Sequence, residues 1–443
     1  MSGKKALICT LFALALLLSG CSEEEKPPES PQYSGAELDV DPDSTEISII
    51  LSEGETELLS GLSKLESADF SGSECIEEIY DWAARNPQVD VKYTVTLPDG
   101  TVLDNSAKRA DLSSMDGDDV CAAAESLRFL PKLMSIDLGE ERSSLGWTDI
   151  EALQKSCPDA TIRYRFTLYG KETDLQNTQL NLSHIPISDK AESLRQAMDH
   201  MPHLSYVDMD SCGISNEDMA QLRDDYPDVK IVWRVWFGSD NKYSVRTDTE
   251  RILASKPSVA GFIYDYYADP LKYCTDVKYL DLGHNAPLAD ISFVEYMPNL
   301  EVAILAMAAW SDASPLASCK ELEYLEMQTT ECTDLSPLSG LENLRHLNVA
   351  CIPGLVDISP LYSLTKLERL WLGSNNNVPT EQVEAMQKAA PDCEINAAVY
   401  EDPTGDGWRY RGYNMVFRYY ILRKQFDNYS DSAFSFWWND PLY

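Results

Sequence analysis

Between Val277 and Leu372 one six-residue pattern recurs five times, as VKYLDL, LEVAIL, LEYLEM, LRHLNV and LERLWL. The copies begin at Val277, Leu300, Leu322, Leu344 and Leu367, so the steps are 23, 22, 22 and 23 residues. A second pattern keeps the same beat: DISFV from Asp290, DASPL from Asp312, DLSPL from Asp334 and DISPL from Asp357. Chance alternation would not hold two signatures in phase over four steps. A period of this length describes a solenoid, in which each coil adds one short parallel strand and buries its apolar side only by stacking on its neighbours. Leu325 and Leu347, at the centre of two such strands, are therefore expected in the core.

With LxxLxL for the strand and Asp-hydrophobic-Ser-Pro-Leu for the far turn, residues 277–375 resemble the internalin-type bacterial leucine-rich repeat. The resemblance implies an α/β solenoid, with parallel strands on one face and helices or 3-10 turns on the other, whose concave face binds a partner. Asn285 and Asn375 stand where that family places an asparagine ladder, while Ala308, Thr330 and Ile352 replace it in the inner coils.

A longer repeat runs upstream, to about residue 276. A helix-like segment ending in proline and followed by a strand occurs as IYDWAARNPQVDVKYTV from Ile79, IEALQKSCPDATIRYRF from Ile150 and MAQLRDDYPDVKIVWRV from Met219. Pro87, Pro158 and Pro227 are 71 and 69 residues apart, and MQKAAPDCEINAAV from Met386 repeats the marker once more after the regular block. Proline stops each helix because it cannot continue the hydrogen-bond ladder. A second marker carries Asp69, Asp137, Asp208 and Asp281, spaced by 68, 71 and 73 residues. Each unit of about 70 residues reads as three irregular coils. The inserts LPDG (97–100), LYGKE and FGSDN read as hairpin turns, with Gly supplying positive φ. Residues 46–400 are thus expected to form a single right-handed solenoid with one continuous sheet.

The ends of the chain have other jobs. Lys4 and Lys5 precede the 13-residue apolar run Ala6–Leu18, too short to span a bilayer comfortably, and Leu18-Ser19-Gly20-Cys21 resembles a bacterial lipobox. That resemblance implies cleavage before Cys21 and a diacylglycerol on its sulfur; an ordinary secretory signal or a short membrane anchor is the alternative. Residues 1–21 are thus read as a lipoprotein signal peptide. Residues 22–45, rich in Ser, Glu, Asp and Pro, read as a disordered acidic tether. Residues 401–443 hold 13 aromatics in the last 36 positions, among them Trp408, Trp437 and Trp438. A solenoid end exposes its cross-section, so this tail is read as an aromatic C-terminal cap, with a helix over Gly412–Phe426; a sugar-stacking platform is the alternative.

Thirty-six Lys and Arg face 73 Asp and Glu, a net charge of −37. No basic stripe exists for nucleic acid, which is excluded as a partner. Outside Cys9 and Cys21, nine cysteines remain with no CxxC spacing, and Cys212, Cys274 and Cys319 fall at repeat positions that read as core. The five histidines form no HExxH, and no GxSxG, P-loop or GxGxxG context is found. DPTGDGW from Asp402 starts like a calcium loop, but Tyr413 occupies the position that needs a bidentate Glu. The chain is read as non-catalytic, with no cofactor and no metal.

Projection of the strands places two rows on the face opposite the core, because side chains alternate along a strand. One row reads Asp69, Asp137, Asp208, Asp281, Ile304, Glu326, Asn348 and Trp371; the other reads Ser67, Ser135, Tyr206, Tyr279, Val302, Tyr324, His346 and Arg369. The candidate ligand-binding set is Tyr206, Asp208, Tyr279, Asp281, Tyr324, Glu326, His346, Asn348, Arg369 and Trp371. Carboxylates beside tyrosines suit a basic or amide-rich protein ligand, with tyrosine as a low-entropy anchor; ordinary solvation of an exposed face is the alternative. The expectation is a lipid-anchored extracytoplasmic surface protein, held to the bacterial cell membrane through its N-terminal lipid and binding a protein on its concave face. The alternatives are a glycan-binding surface lipoprotein using the tail aromatics, or a structural envelope component.

Overall fold

The computed structural model describes residues 38, 40–255, 263–374, 377–398, 408–411 and 414–415. The signal peptide with Cys21, nearly all of the tether, Asn375 and most of the tail fall outside these residues. The chain divides into two compact units, one holding residues up to Ser106 with Phe129–Pro131, the other holding Ala107–Arg128 and everything from Lys132 on.

In the first unit, strands β1 (Glu46–Ser48), β2 (Ser67–Asp69) and β3 (Asp90–Lys92) form a parallel three-stranded sheet. The hairpin β4 (Thr94–Thr96) and β5 (Val102–Asp104) follows. The second unit repeats the plan twice. Strands β6 (Arg109–Asp111), β7 (Ser135–Glu140) and β8 (Thr161–Leu168) run parallel, and β8 turns into a hairpin with β9 (Lys171–Asp174). Strands β10 (Gln179–Asn181), β11 (Tyr206–Asp208) and β12 (Lys230–Val232) run parallel, and the hairpin β13 (Arg234–Phe237) and β14 (Tyr243–Arg246) follows. Each 70-residue unit is therefore three coils plus a hairpin. The helices Ile76–Arg85, Trp147–Ser156, Asn216–Asp225 and Thr380–Ala389 each end two residues before Pro87, Pro158, Pro227 and Pro391, as the marker required. Gly100, Gly170 and Gly238 supply the turns at φ of 86°, 80° and 76°.

The expectation of one continuous sheet is corrected by these hairpins. In the second unit the parallel strands form separate sheets: β6–β8, extended antiparallel by β9, then β10–β12, and a seven-stranded sheet from β15 (Arg251–Leu253) to β21 (Glu394–Asn396). At one break the hairpin's return arm satisfies the edge that another strand would have paired. The Gln176 side-chain amide donates to the Ile162 carbonyl at 2.6 Å and the Leu175 N–H to the Tyr164 carbonyl at 3.1 Å. The first unit does the same with Asn105, whose amide donates to the Val91 carbonyl at 2.8 Å. A backbone carbonyl needs a partner, and a side-chain amide closes it without extending the sheet.

The seven-stranded sheet is the regular block. After β15 come β16 (Tyr279–Asp281), β17 (Val302–Ile304), β18 (Tyr324–Glu326), β19 (His346–Asn348) and β20 (Arg369–Trp371), then β21. Their register aligns Tyr279, Val302, Tyr324, His346 and Arg369 in one row and Asp281, Ile304, Glu326, Asn348 and Trp371 in the other, as projected. Leu280, Ala303, Leu325, Leu347 and Leu370 between them are buried completely. Each coil then bends at a residue in the left-handed region, in turn His284, Met307, Thr329, Cys351 and Ser374. A row of non-glycine residues with positive φ at the repeat period marks a turn imposed by stacking rather than by local preference.

On the far side, Asp290, Asp312, Asp334 and Asp357 each accept the amide N–H two residues ahead, at 2.8, 2.8, 2.9 and 2.8 Å. This Asx turn starts a 3-10 turn, and Pro315, Pro337 and Pro360 sit in its first positions, where a missing N–H costs nothing. Asn285 plays the ladder role: buried, it donates to the Ala254 and Leu282 carbonyls at 3.0 and 2.7 Å and accepts the Ile263 N–H at 2.9 Å. Thr330 supplies a partial substitute, its hydroxyl donating to the Met327 carbonyl at 2.9 Å.

Candidate functional site

On the seven-stranded sheet the expected row of solvent-facing side chains is not open. Asp281, Tyr324, Glu326, His346, Asn348, Arg369 and Trp371 are all buried, and Tyr279 is half-buried. Over Tyr324, Glu326, His346, Arg369 and Trp371 the cover includes the chain's own tail. Trp408 and Arg409 lie on this face, and the Trp408 ring packs into one cluster with Leu253, Val302, Ile304, Tyr324 and Trp371. An exposed strand face that carries aromatics at this density is apolar enough to be covered by any segment of matching chemistry.

Glu326 is the centre of the contact. Fully buried, its carboxylate accepts the Trp408 indole N–H at 2.9 Å and the Arg409 Nε–H at 2.8 Å, and a second Arg409 nitrogen closes a bidentate pair. The Tyr324 hydroxyl and, at 3.2 Å, the Gln328 amide complete its shell. Burial alone would push this carboxyl up. The Arg409 charge, with the hydrogen bonds from Arg409, Tyr324 and Trp408, outweighs burial and holds it below the usual carboxylate value. A charge so deep is tolerable only when paired and hydrogen-bonded on all sides.

The Trp408 indole is seated by rings and by a second arginine. Tyr324, Trp371 and His346 lie 5.5, 5.6 and 6.2 Å from its centroid. Arg369 stands 4.7 Å over the Trp371 ring and 5.3 Å from that of Trp408, and donates to the Trp408 carbonyl and to Glu394. His284, also near this charge pair, is held below its ordinary value by burial and then by the Arg409 charge, against the pull of Glu326.

Tyr206 and Asp208, the other members of the candidate set, lie on the β10–β12 sheet and are also engaged from within. Arg246 of the β13–β14 hairpin donates to the Asp208 carboxylate at 3.0 Å and to the Tyr206 hydroxyl at 2.7 Å. Beside it Arg234 clasps the buried Asp210 at 2.9–3.1 Å. Both stretches of the acidic row are thus met by arginines arriving from segments inserted between or after the coils. In the first unit, Asp69 is held at about 2 by hydrogen bonds from Ser71 and by Lys92.

The tail itself departs from the expected cap. Trp408 and Arg409 sit on the sheet face, and Asn414–Met415 (β23), inside the expected helix, is strand paired antiparallel with Tyr410–Arg411 (β22). The rest of the expected helix, the calcium-like loop from Asp402 to Gly407, and Trp437 and Trp438 fall outside the described residues. Among the described residues no cysteine is paired, and burial lifts the Cys212 and Cys319 thiols to about 11.

No family model matches this sequence. Human cilia- and flagella-associated protein 410 is 29% identical over 129 residues, which take in 27% of this chain and 48% of that protein, so the match spans about half the relative's length. Among solved structures, the internalin InlF of Listeria monocytogenes is similar at 18% identity and a TM-score of 0.30, over 78% of this chain and 79% of the other. The internalin InlC2 of the same species gives 14% and 0.28, over 64% and 84%. A leucine-rich repeat protein of Leptospira interrogans gives 14% and 0.31, over 78% and 92%.

The coil decides the fold. Its 22–23 residue step, its in-register buried leucines, its left-handed bend and its Asx-capped 3-10 turn recur together through β16–β20. The fold is a leucine-rich repeat solenoid.

Several residues that complete the leucine-rich repeat face were not singled out from sequence: Arg409, Gln328 and His284 at Glu326, and Arg246 and Arg234 at Asp208 and Asp210. One signal pointed to the first. Residues 408–424 hold Arg409, Arg411, Arg418, Arg423 and Lys424 and no carboxylate, a cationic stretch in a chain of net charge −37. Beside a row read as suited to a basic or amide-rich ligand, that stretch is the chain's own candidate for the role.

Proposed function

We propose that this chain is a non-catalytic binding protein, anchored by lipid at Cys21 on the outer side of a bacterial membrane, whose leucine-rich repeat face takes a segment of a partner protein. The observation that carries the reading is the Glu326 seat, where a peptide segment 82–83 residues away in sequence is held through an indole N–H and an arginine fork. A surface that orders an aromatic-basic segment in this way has the parts of a protein-binding hot spot: buried rings, a bidentate charge pair and surrounding contacts that exclude water. Trp408, the tail tryptophan within the described residues, is buried, which supports a protein-facing role over a sugar-stacking platform there.

The test is capture of native envelope proteins by the full chain at low and high salt, alongside the Glu326→Lys variant. The reading expects a specific protein retained by the unsubstituted chain, weakened by salt and lost on Glu326→Lys. Capture that is unchanged by Glu326→Lys would remove this face from consideration, and retention of envelope glycan alone would replace the protein reading.

A further inference from the structure

The tail satisfies Glu326 itself but leaves two polar groups around it unpaired among the described residues. The indole N–H of Trp371, whose ring packs on Trp408, and the side-chain oxygen of Gln328, whose amide donates to Glu326, are both buried and have no hydrogen-bond partner among the described residues. Buried polar groups in a settled interior are nearly always paired. One unused donor and one unused acceptor at the same seat mark a resident that fits in charge and ring stacking and leaves part of the recognition surface unused.

The tail's chemistry also matches the ligand class that the face would select. Glu326 is a buried carboxylate shaped for a guanidinium, and Tyr324, His346, Trp371 and Arg369 surround a flat ring. A partner segment presenting an aromatic residue next to an arginine would make the same contacts. If it also carried an acceptor for the Trp371 N–H and a donor for Gln328, it would bind the seat more completely than the tail does.

We propose that Trp408–Arg409 is a resident strap that blocks the binding face in the free protein, and that a partner segment bearing an adjacent aromatic and arginine displaces it. This rests on the reading of the face as a protein-binding surface and names both the partner's chemistry and the device that regulates access. Affinity for a partner is then scaled by the fraction of molecules whose strap is unseated, and anything that unseats the strap raises it. A basic segment meeting a chain of this acidity would also find its encounter steered by charge, so displacement should begin faster at low salt.

The test uses a fluorescent synthetic peptide copying residues 404–411, TGDGWRYR, titrated by anisotropy against the full chain. Arg409→Glu sets a second carboxylate against Glu326 and should expel the strap while leaving the sheet in place. The expected result is binding to Arg409→Glu on the order of tenfold or more tighter than to the unsubstituted chain, with the gain lost when Glu326→Gln is added. A peptide with Ala in place of its tryptophan should fail to compete. Equal affinity for the unsubstituted and Arg409→Glu chains, or tight binding that survives Glu326→Gln, would overturn the proposal. So would loss of cooperative melting in Arg409→Glu, which would make the segment part of the fold rather than a strap. A concentration-dependent dimer of the unsubstituted chain, broken by Arg409→Glu, would assign the seat to a second copy and overturn displacement by a partner. Peptide gain together with failure to capture any envelope protein would uphold the strap and count against the partner reading alone.

Discussion

Glu326 and Arg409, 83 positions apart, form a buried bidentate ion pair on the sheet face of the seven-stranded block, and neither residue belongs to the other's coil. Within a solenoid each coil is held by its neighbours, so contacts of such separation are foreign to the repeat. This one joins the strand of one coil to a segment beyond the last coil. Its strength comes from the match of charge with full hydrogen bonding, because a buried pair contributes little once the cost of taking both ions out of water is counted.

The pair makes the tail contact sensitive to acid, and the sign is fixed. Glu326 has a folded value below its ordinary one, so it stabilises the folded state above the unfolded value of about 4.3, and that contribution is lost as pH falls through the lower folded value. The full chain should therefore melt higher than Glu326→Gln at pH 7, and the gap should close only below about pH 4. His284 feels the Glu326 charge, so Glu326→Gln also moves its titration, and the two effects are told apart by the pH at which the gap closes. Thermal melts of the two chains across pH 3–8 check this, and a gap that closes near pH 6 instead would assign the effect to histidine.

The regular block was legible because its signal is periodic and local: the same leucines, aspartates and serine-prolines fall at each coil and do the same work. Even the rows of outward side chains came out in register. What the sequence concealed was non-local. The hairpins were recognised from Gly100, Gly170 and Gly238, but nothing local said that Gln176 would close the Ile162 carbonyl and so divide the sheet. The row from Tyr279 to Trp371 was placed on the correct face, yet its cover is set by which distant segment complements it, and periodicity carries no information on that. Charge does carry some, since Trp408 and Arg409, which meet Glu326, open a cationic and aromatic stretch of the sequence.

Leu347 tests the stacking itself. It is completely buried between Leu325 and Leu370 in adjoining strands. Leu347→Ala should destabilise the block by about 2–5 kcal/mol, from lost transfer energy and the cavity left behind. Because coils support only their neighbours, hydrogen exchange should quicken most at the amides of β18 to β20, and protection of the first unit should be unchanged.

The anchor is tested at Cys21. Intact-mass analysis of membrane-extracted protein should find the mature N-terminus at this residue with acyl chains attached, and Cys21→Ala should give unprocessed precursor or protein shed to the medium. An unmodified N-terminus at another position would remove the lipid from the reading, and with it the tethering that acyl chains supply at roughly 0.8 kcal/mol per buried CH₂.

Arg246 tests whether the arginine of the hairpin does for Asp208 what Arg409 does for Glu326. It bridges the Asp208 carboxylate, the Tyr206 hydroxyl and Asp248 and lies 3.8 Å from Asp210, so its removal undoes three close contacts and one longer ion pair. Asp210 keeps its grip on Arg234 and should be little affected. Asp208, mostly buried, would lose the charge that faces it. Charge-assisted hydrogen bonds contribute about 1.5–3 kcal/mol each when buried, and less where water reaches them. Arg246 is about a third exposed, at 30%, so Arg246→Ala should destabilise the second unit by about 1–2 kcal/mol, toward the lower end of that range. Arg246→Lys keeps the charge and loses the fork, and should recover only part of this. Urea melts of the full chain measure the difference. If Arg246→Ala left stability unchanged while Leu347→Ala lowered it, the hairpin arginine would be an ornament of the β10–β12 face, and the acidic row there would be available to an outside ligand.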